Sequence, residues 1–372
     1  MARKFRARGN NFVDFRGYSR LFEGVVNLNH WLRELHLTHT WTIARGSSTV
    51  SKVNLVQLTD GNGVIGLGES SPITRYNESV ETVAAFLAKV DASKLSFADV
   101  AGSMKYLDTV APGNMAAKCA VNIALVDGAA RLAGKAVYDY FGLGFRENHH
   151  VTSFTIGIDT PDMIRKKVLE AEQFPVLKVK VGVPGDKEIL TALREVAPKK
   201  TVRVDANEGW KTKEEALERI EWLARDPHIQ YVEQPMPAKT DPKDLVWLKE
   251  RSPLPLLADE GYHTVQDVAH CAECYHGVNV KLVKTAGVSG GFEALSAARK
   301  AGLKTMIGCM IETSVLISAA AHLAELCDYL DVDGNILIND DPYQGVTAAK
   351  GILSFASAPE KFGLRVSERR GK

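Results

Sequence analysis

LKVKVG at 177–182, VRVDAN at 202–207, IQYVEQP at 229–235, PLLADE at 255–260 and VNVK at 278–281 share one rhythm. Each is a short apolar run that ends in or near a charged residue: Lys180, Asp205, Glu233, Asp259 and Lys281. Successive charged ends lie 25, 28, 26 and 22 residues apart. A strand, a helix and two short loops need about that many residues, so each charged group ends a successive strand of a parallel sheet. In a closed β/α barrel those strand ends converge on one mouth, where active sites are built. Three carboxylates flanked by lysines at one mouth form a catalytic layout.

The alternation extends both ways along the chain. TSFTIGI (152–158) opens it, and KTMIGCM (304–310) and YLDVDG (329–334) close it, which makes eight strands with seven helical segments between them. No clear helix follows the eighth strand; residues 341–372 are irregular and are expected to return to the first domain. Ahead of the barrel, LRELHLTHTWT (32–42) and VNLVQLTDGNGVIGLGE (53–69) read as antiparallel strands, with Asp60-Gly61-Asn62-Gly63 as a hairpin turn. SVETVAAFLAKV (79–90) and AAKCAVNIALVDGAARLAG (116–134) have helical periodicity. The expected fold class is α/β: a (β/α)7β TIM-like barrel at 151–340 with an N-terminal α+β capping domain at 31–150, completed by 341–372. Residues 1–30 are expected to be an N-terminal extension.

A net charge of +1 gives no basic surface for nucleic acid or an anionic membrane. No apolar run reaches the ~18 residues of a membrane span. The basic N-terminus (Arg3, Lys4, Arg6, Arg8) lacks a following apolar stretch, so no secretory leader is read. Five scattered cysteines argue against a disulfide scaffold, and a cytoplasmic location is expected. Cys271 and Cys274 form a C-x-x-C within a helical segment, with no second pair to complete a zinc site. They are expected to be reduced thiols. The sequence does not set the oligomeric state and is compatible with a homo-oligomer.

Side chains alternate across a strand, so Lys178 and Lys180 point to the same side. Two cations inside a barrel are costly, and the cheaper state leaves one amine neutral, as a general base requires. Asp205, Glu233 and Asp259 would repel one another unless a cation sat between them, and all-oxygen ligands favour Mg2+ or Mn2+. Helix capping is the alternative for any one of these acids, and three in register weaken it. Lys281 on the sixth strand lies across the mouth from Lys180 on the second. One lysine would remove the proton α to a metal-held carboxylate, giving an enediolate, while the other protonates the opposite face. Lys284, at odd spacing from Lys281, is expected to face away. Asp331 and Asp333 lie two apart on the last strand and suit a substrate ammonium; a turn after an edge strand is the alternative.

Together the K-x-K at 178–180, the acids at 205, 233 and 259 and the lysine at 281 resemble the enolase superfamily, muconate-lactonising subgroup, from about residue 33 onward. The mandelate-racemase subgroup would need a histidine on the seventh strand, where IGCMIET has none. Within the subgroup, LDVDG resembles the Asp-x-Asp of dipeptide epimerases. The resemblance implies a Mg2+-dependent isomerase (Mn2+ as the alternative ion) acting on a small dipeptide, with L-Ala-D/L-Glu as the expected substrate. It also implies that Asp331 and Asp333 bind the α-ammonium, that backbone groups of Met310 and Ile311 meet the substrate, and that Thr155 lines the pocket. Arg45 in TIARGSS would pair with a glutamate side chain, with Arg75 in SPITRYNES as competitor for that role. A muconate cycloisomerase or o-succinylbenzoate synthase of the same subgroup is the nearest rival. A Schiff-base aldolase barrel and a non-catalytic binding barrel are more distant ones.

Overall fold

The computed structural model describes residues 26–369. Expectations for residues 1–25 lie outside the described residues. β1 (Asn27–Ile43), β2 (Gly46–Thr59) and β3 (Ile65–Ser70) form an antiparallel sheet in that order. Asn27 pairs with Thr59, so the sheet begins inside the segment expected to be an extension. Asp60 builds the β2–β3 turn, its Oδ1 accepting from the Asn62 and Val64 amides. Helices α1 (Val80–Leu87), α2 (Val100–Val110), α3 (Met115–Leu132) and α4 (Val137–Tyr140) follow. α3 lies against β3, where Gly66 and Gly68 are required: a Cβ at either would overlap the carbonyl oxygen of Ala124 or Ala120.

The barrel alternates without interruption: β4 (Phe154–Ile156), α5 (Pro161–Glu170), β5 (Val176–Lys180), α6 (Asp186–Val196), β6 (Thr201–Asp205), α7 (Lys213–Leu223), β7 (Ile229–Glu233) and α8 (Pro242–Arg251). It continues with β8 (Leu256–Ala258), α9 (Val268–Cys274), β9 (Gly277–Lys281), α10 (Val288–Lys300), β10 (Lys304–Gly308), α11 (Ser314–Ala321) and β11 (Tyr329–Asp331). The eight strands are parallel and ordered β4 to β11. Ser153 N–H donates to Leu330 O at 3.1 Å and Thr152 bridges Leu330, which joins the first strand to the last. Local signals start the helices. Thr160 and Asp241 cap α5 and α8 ahead of a first-turn proline, while Thr212 and Thr313 cap α7 and α11.

Tyr231, Leu257 and Met306 pack in a small apolar cluster with Tyr329, and the Arg203 guanidinium lies over both tyrosine rings. By pleat alternation the next inward residues toward the C-terminal ends are Glu233, Asp259 and, on β5, Lys180. The tail carries two short pairings, β12 (Tyr343–Gln344) with β15 (Ser367–Glu368) and β13 (Thr347–Ala349) with β14 (Ile352–Ser354). It touches both parts of the molecule: Thr152 N–H donates to Gly351 O, and Leu364 N–H donates to Asp127 on α3.

Candidate active site

Asp205, Glu233 and Asp259 each offer a carboxylate oxygen within 4.8 Å of the other two, and all three are buried. None caps a helix; the caps of α7 and the turn before α9 are Thr212 and Thr264. Lys178 Nζ donates to Asp331 Oδ2 at 2.7 Å and lies 2.7 Å from Glu233 Oε2 and 3.0 Å from Asp205 Oδ2. Lys180 Nζ donates to Asp205 Oδ2 at 2.6 Å and sits over the Trp41 ring of the cap. Lys281 Nζ donates to Asp259 Oδ2 at 2.9 Å.

The arrangement answers the expectation of a neutral lysine. Burial works against the Lys178 ammonium, yet the surrounding Asp331, Glu233 and Asp205 carboxylates hold its pKa well above the ordinary value. Burial likewise opposes the charge on Lys281, and Asp259 outweighs it, raising that pKa too. Each ammonium has an acid partner, so neutrality does not arise from lysine–lysine repulsion alone. Burial and the Asp205 charge push Glu233 up to about 7, whereas Lys180 and Lys178 overcome burial to hold Asp205 below its ordinary range.

Lys284 does not face away. The chain leaves β9 at Lys281 and turns, with Lys284 N–H donating to Lys281 O at 2.9 Å, so strand parity no longer applies. Its side chain is fully buried, and Nζ donates to Asp259 Oδ1 at 2.8 Å and Asp259 O at 2.6 Å.

Asp331 and Asp333 are both buried beside Thr155, but they are not an isolated acid pair. Asp331 is tied through Lys178 to the three-acid cluster; burial pushes its pKa up, and the Lys178 charge outweighs burial and holds it below the ordinary value. Asp333 accepts the Thr155 amide at 2.6 Å and forms no ion pair among the described residues. Burial and the neighbouring Asp331 charge raise it to about 7. Thr155 Oγ1 donates to Asp331 Oδ1 at 3.3 Å.

A cavity of about 500 Å³ opens above these groups, between the barrel mouth and the cap, and Arg45, Thr155, Met310 and Ile311 all line it. The backbone of Met310 and Ile311 is partly engaged within the protein, with the Met310 carbonyl and the Ile311 amide left without a protein hydrogen bond among the described residues. The Met310 amide already donates to Glu312, and the Ile311 carbonyl accepts from the hydroxyls of Ser71 and Ser51. Their side chains remain as wall, with Met310 Sδ 4.0 Å from Lys281 Nζ. Arg45 Nη1 is engaged with Glu260 and the Asn207 carbonyl, both at 2.9 Å. Its other guanidinium nitrogens make no protein hydrogen bond among the described residues. Arg75 makes a bidentate pair with Glu208, at 2.8 and 2.7 Å, and fastens a cap loop to the end of β6. Cys271 and Cys274 are both buried free thiols.

Sequence reading passed over Asn279, Trp41 and Tyr76. Asn279 Nδ2 donates to Glu233 Oε1 at 2.8 Å; its place two residues before Lys281 on an inward-facing parity was the available signal. Trp41 and Tyr76 reach the cavity from the cap, which no local pattern announces.

The donor set fits a hard divalent cation: three carboxylates, no thiolate or imidazole, and a buried Glu233 Oε2 whose close partner is the Lys178 ammonium, with no aligned hydrogen bond. No helix among the described residues is long and apolar enough to cross a membrane. Residues 163–364 match the family described as enolase C-terminal domain-like, and 31–142 match the mandelate racemase/muconate lactonizing enzyme N-terminal domain. The chain is 68% identical to an L-Ala-D/L-amino acid epimerase of Pedosphaera parvula, over 92% of this chain and 99% of the relative. It is 38% identical to an L-Ala-D/L-Glu epimerase of Bacteroides thetaiotaomicron, over 90% of this chain and 87% of the relative. A dipeptide epimerase from Cytophaga hutchinsonii, solved with Mg and D-Ala-L-Val, superposes with a TM-score of 0.85 at 28% identity, covering 93% of this chain and 96% of that one. The strand-end acids and lysines, the cap that covers them and these likenesses agree: the chain belongs to the mandelate racemase/muconate lactonizing family of the enolase superfamily, on the branch of the dipeptide epimerases.

Proposed function

We propose that the chain inverts the α-carbon of the C-terminal residue of an L-Ala dipeptide, with Lys180 and Lys281 as the two bases. The observation that carries this reading is their placement: two buried lysines, four strands apart in an eight-stranded barrel, each beside an outer member of the three-acid cluster. The nature of the relatives supports it, one named for L-Ala-D/L-amino acids and one solved with a dipeptide and Mg. L-Ala-D/L-Glu remains the expected substrate, with the unengaged edge of Arg45 available to a side-chain carboxylate.

Asp205, Glu233 and Asp259 would hold Mg2+, with Mn2+ as the alternative. The bound ion supplies positive charge at the dipeptide carboxylate, which lowers the cost of negative charge as the α-proton leaves. An ion held by Asp205, Glu233 and Asp259 would offset the carboxylate charge that stabilises the Lys178 and Lys281 ammonium groups. The proton transfer requires one of the two bases, Lys180 or Lys281, as the neutral amine. That amine removes the α-proton from its face. The ammonium opposite donates a proton to the other face, and the configuration inverts. Lys178 is buried beside Lys180, and both amines lie on Asp205 Oδ2, at 3.0 and 2.6 Å.

Asp333 has no cationic partner among the described residues and, with Asp331, offers a place to the substrate's α-ammonium. Cycloisomerase and synthase substrates carry no ammonium, and for them this acid would be unused. The test is a library of L-Ala-L-Xaa dipeptides in deuterated water. Deuterium at the C-terminal α-carbon together with the opposite configuration is the expected result. Turnover confined to acids without an ammonium group, by elimination or ring closure, would overturn it.

A further inference from the structure

The three carboxylates share a pattern that the proton transfers do not use. Each has one oxygen beside a lysine and the other held by a single donor behind it. Asp205 Oδ1 accepts the Asn207 amide at 2.9 Å, Glu233 Oε1 accepts Asn279 Nδ2 at 2.8 Å, and Asp259 Oδ1 accepts Lys284 Nζ at 2.8 Å. The opposite oxygens lie by Lys180, Lys178 and Lys281 at 2.6, 2.7 and 2.9 Å.

The rear donors are themselves immobilised. Lys284 Nζ also donates to the carbonyls of Asp259 and Asn279, at 2.6 and 3.0 Å. The Asn279 side chain is fully buried and packs against Gly308, where a Cβ would overlap it. A carboxylate whose second oxygen is anchored this way can give a cation one oxygen, not two.

That distinction separates two ions of equal charge. Ca2+ takes six to eight oxygens and readily accepts both oxygens of one carboxylate, whereas Mg2+ takes six at shorter distance and prefers one from each. We infer that Asn279 and Lys284 are positioning residues that keep Glu233 and Asp259 one-oxygen ligands and so bias the site toward Mg2+ against Ca2+. This inference rests on the metal-dependent reading above. Removing the Lys284 charge strengthens binding of any dication, but that gain is common to both ions and cancels in their ratio.

The experiment titrates the chelator-treated full chain with MgCl2 and with CaCl2 by calorimetry, for wild type, Asn279→Ala and Lys284→Met. Near-UV circular dichroism checks that each variant is folded. The ratio of Ca2+ to Mg2+ dissociation constants is expected to fall about ten-fold in each variant. An unchanged ratio in a folded variant would overturn the inference while leaving the proposed function intact. Absence of binding of either ion to wild type would overturn both. If either variant does not fold, Asn279→Ser, whose hydroxyl is one bond shorter and falls out of reach of Glu233 Oε1 while keeping a polar group, decides by the same ratio.

Discussion

Lys180 and Lys281 each rest on a different acid, Asp205 and Asp259, so removing one leaves the other's environment largely in place. Lys281→Ala is therefore expected to lower epimerisation by a factor of about 1,000 or more, while one antipode still exchanges its α-proton at Lys180. Proton NMR in deuterated water separates the two; full turnover in the variant would exclude the two-base assignment. Asp333 gives a pH signature. Its carboxyl stays protonated up to about pH 7 and must ionise to hold an ammonium. KM is thus expected to rise as pH falls through 7 and to reach its low plateau above it. Asp333→Asn should raise KM about 30-fold or more and abolish that pH step, as initial-rate profiles between pH 5.5 and 8.5 would show.

At the scale of elements, the cap is fixed to the barrel through β3. Glu69, its penultimate residue, accepts the amides of Thr313 and Leu316 and thereby caps α11 from outside the barrel. Burial outweighs these bonds and raises its pKa to about 7, against an ordinary 4.5. The folded chain therefore binds a proton at Glu69 that the unfolded chain releases near pH 4.5. This contribution is present below that pH and is lost as pH rises toward 7. Relative to Glu69→Gln, wild type is expected to lose up to about 3 kcal/mol between pH 5 and pH 8, measured by urea unfolding at both. Gly68 tests the same interface sterically. Gly68→Ala drives a methyl group into the Ala120 carbonyl and should cost about 3 kcal/mol. Gly63→Ala, at a positive φ in open space, should cost only about 1 kcal/mol.

At the scale of the whole molecule, the acids of the mouth are matched by lysines, so chelation is not expected to unfold the chain. EDTA should abolish turnover while near-UV circular dichroism persists. Mg2+ at 100 times its Kd should restore about 2.7 kcal/mol of stability, seen as a rise in melting temperature; collapse of tertiary signal on chelation would contradict this. The order of strands and the inward parity of Lys178, Lys180, Asp205, Glu233, Asp259 and Lys281 were legible in the chain. The two-residue pleat and the length of a βα unit are local properties, repeated at each step. Lys284 was misread because a turn, closed by its own backbone hydrogen bond, ends the strand parity. Arg75–Glu208, Arg45–Glu260 and Glu69–Thr313 join residues 133, 215 and 244 positions apart, and no local spacing encodes such meetings. Sequence by itself determined that the charged groups borne on the strands, from Lys178 to Lys281, reach the barrel mouth. Tertiary structure alone decided which acid faces which lysine, and hence which protons are held, because the energy of a buried charge depends on neighbours brought in from other strands.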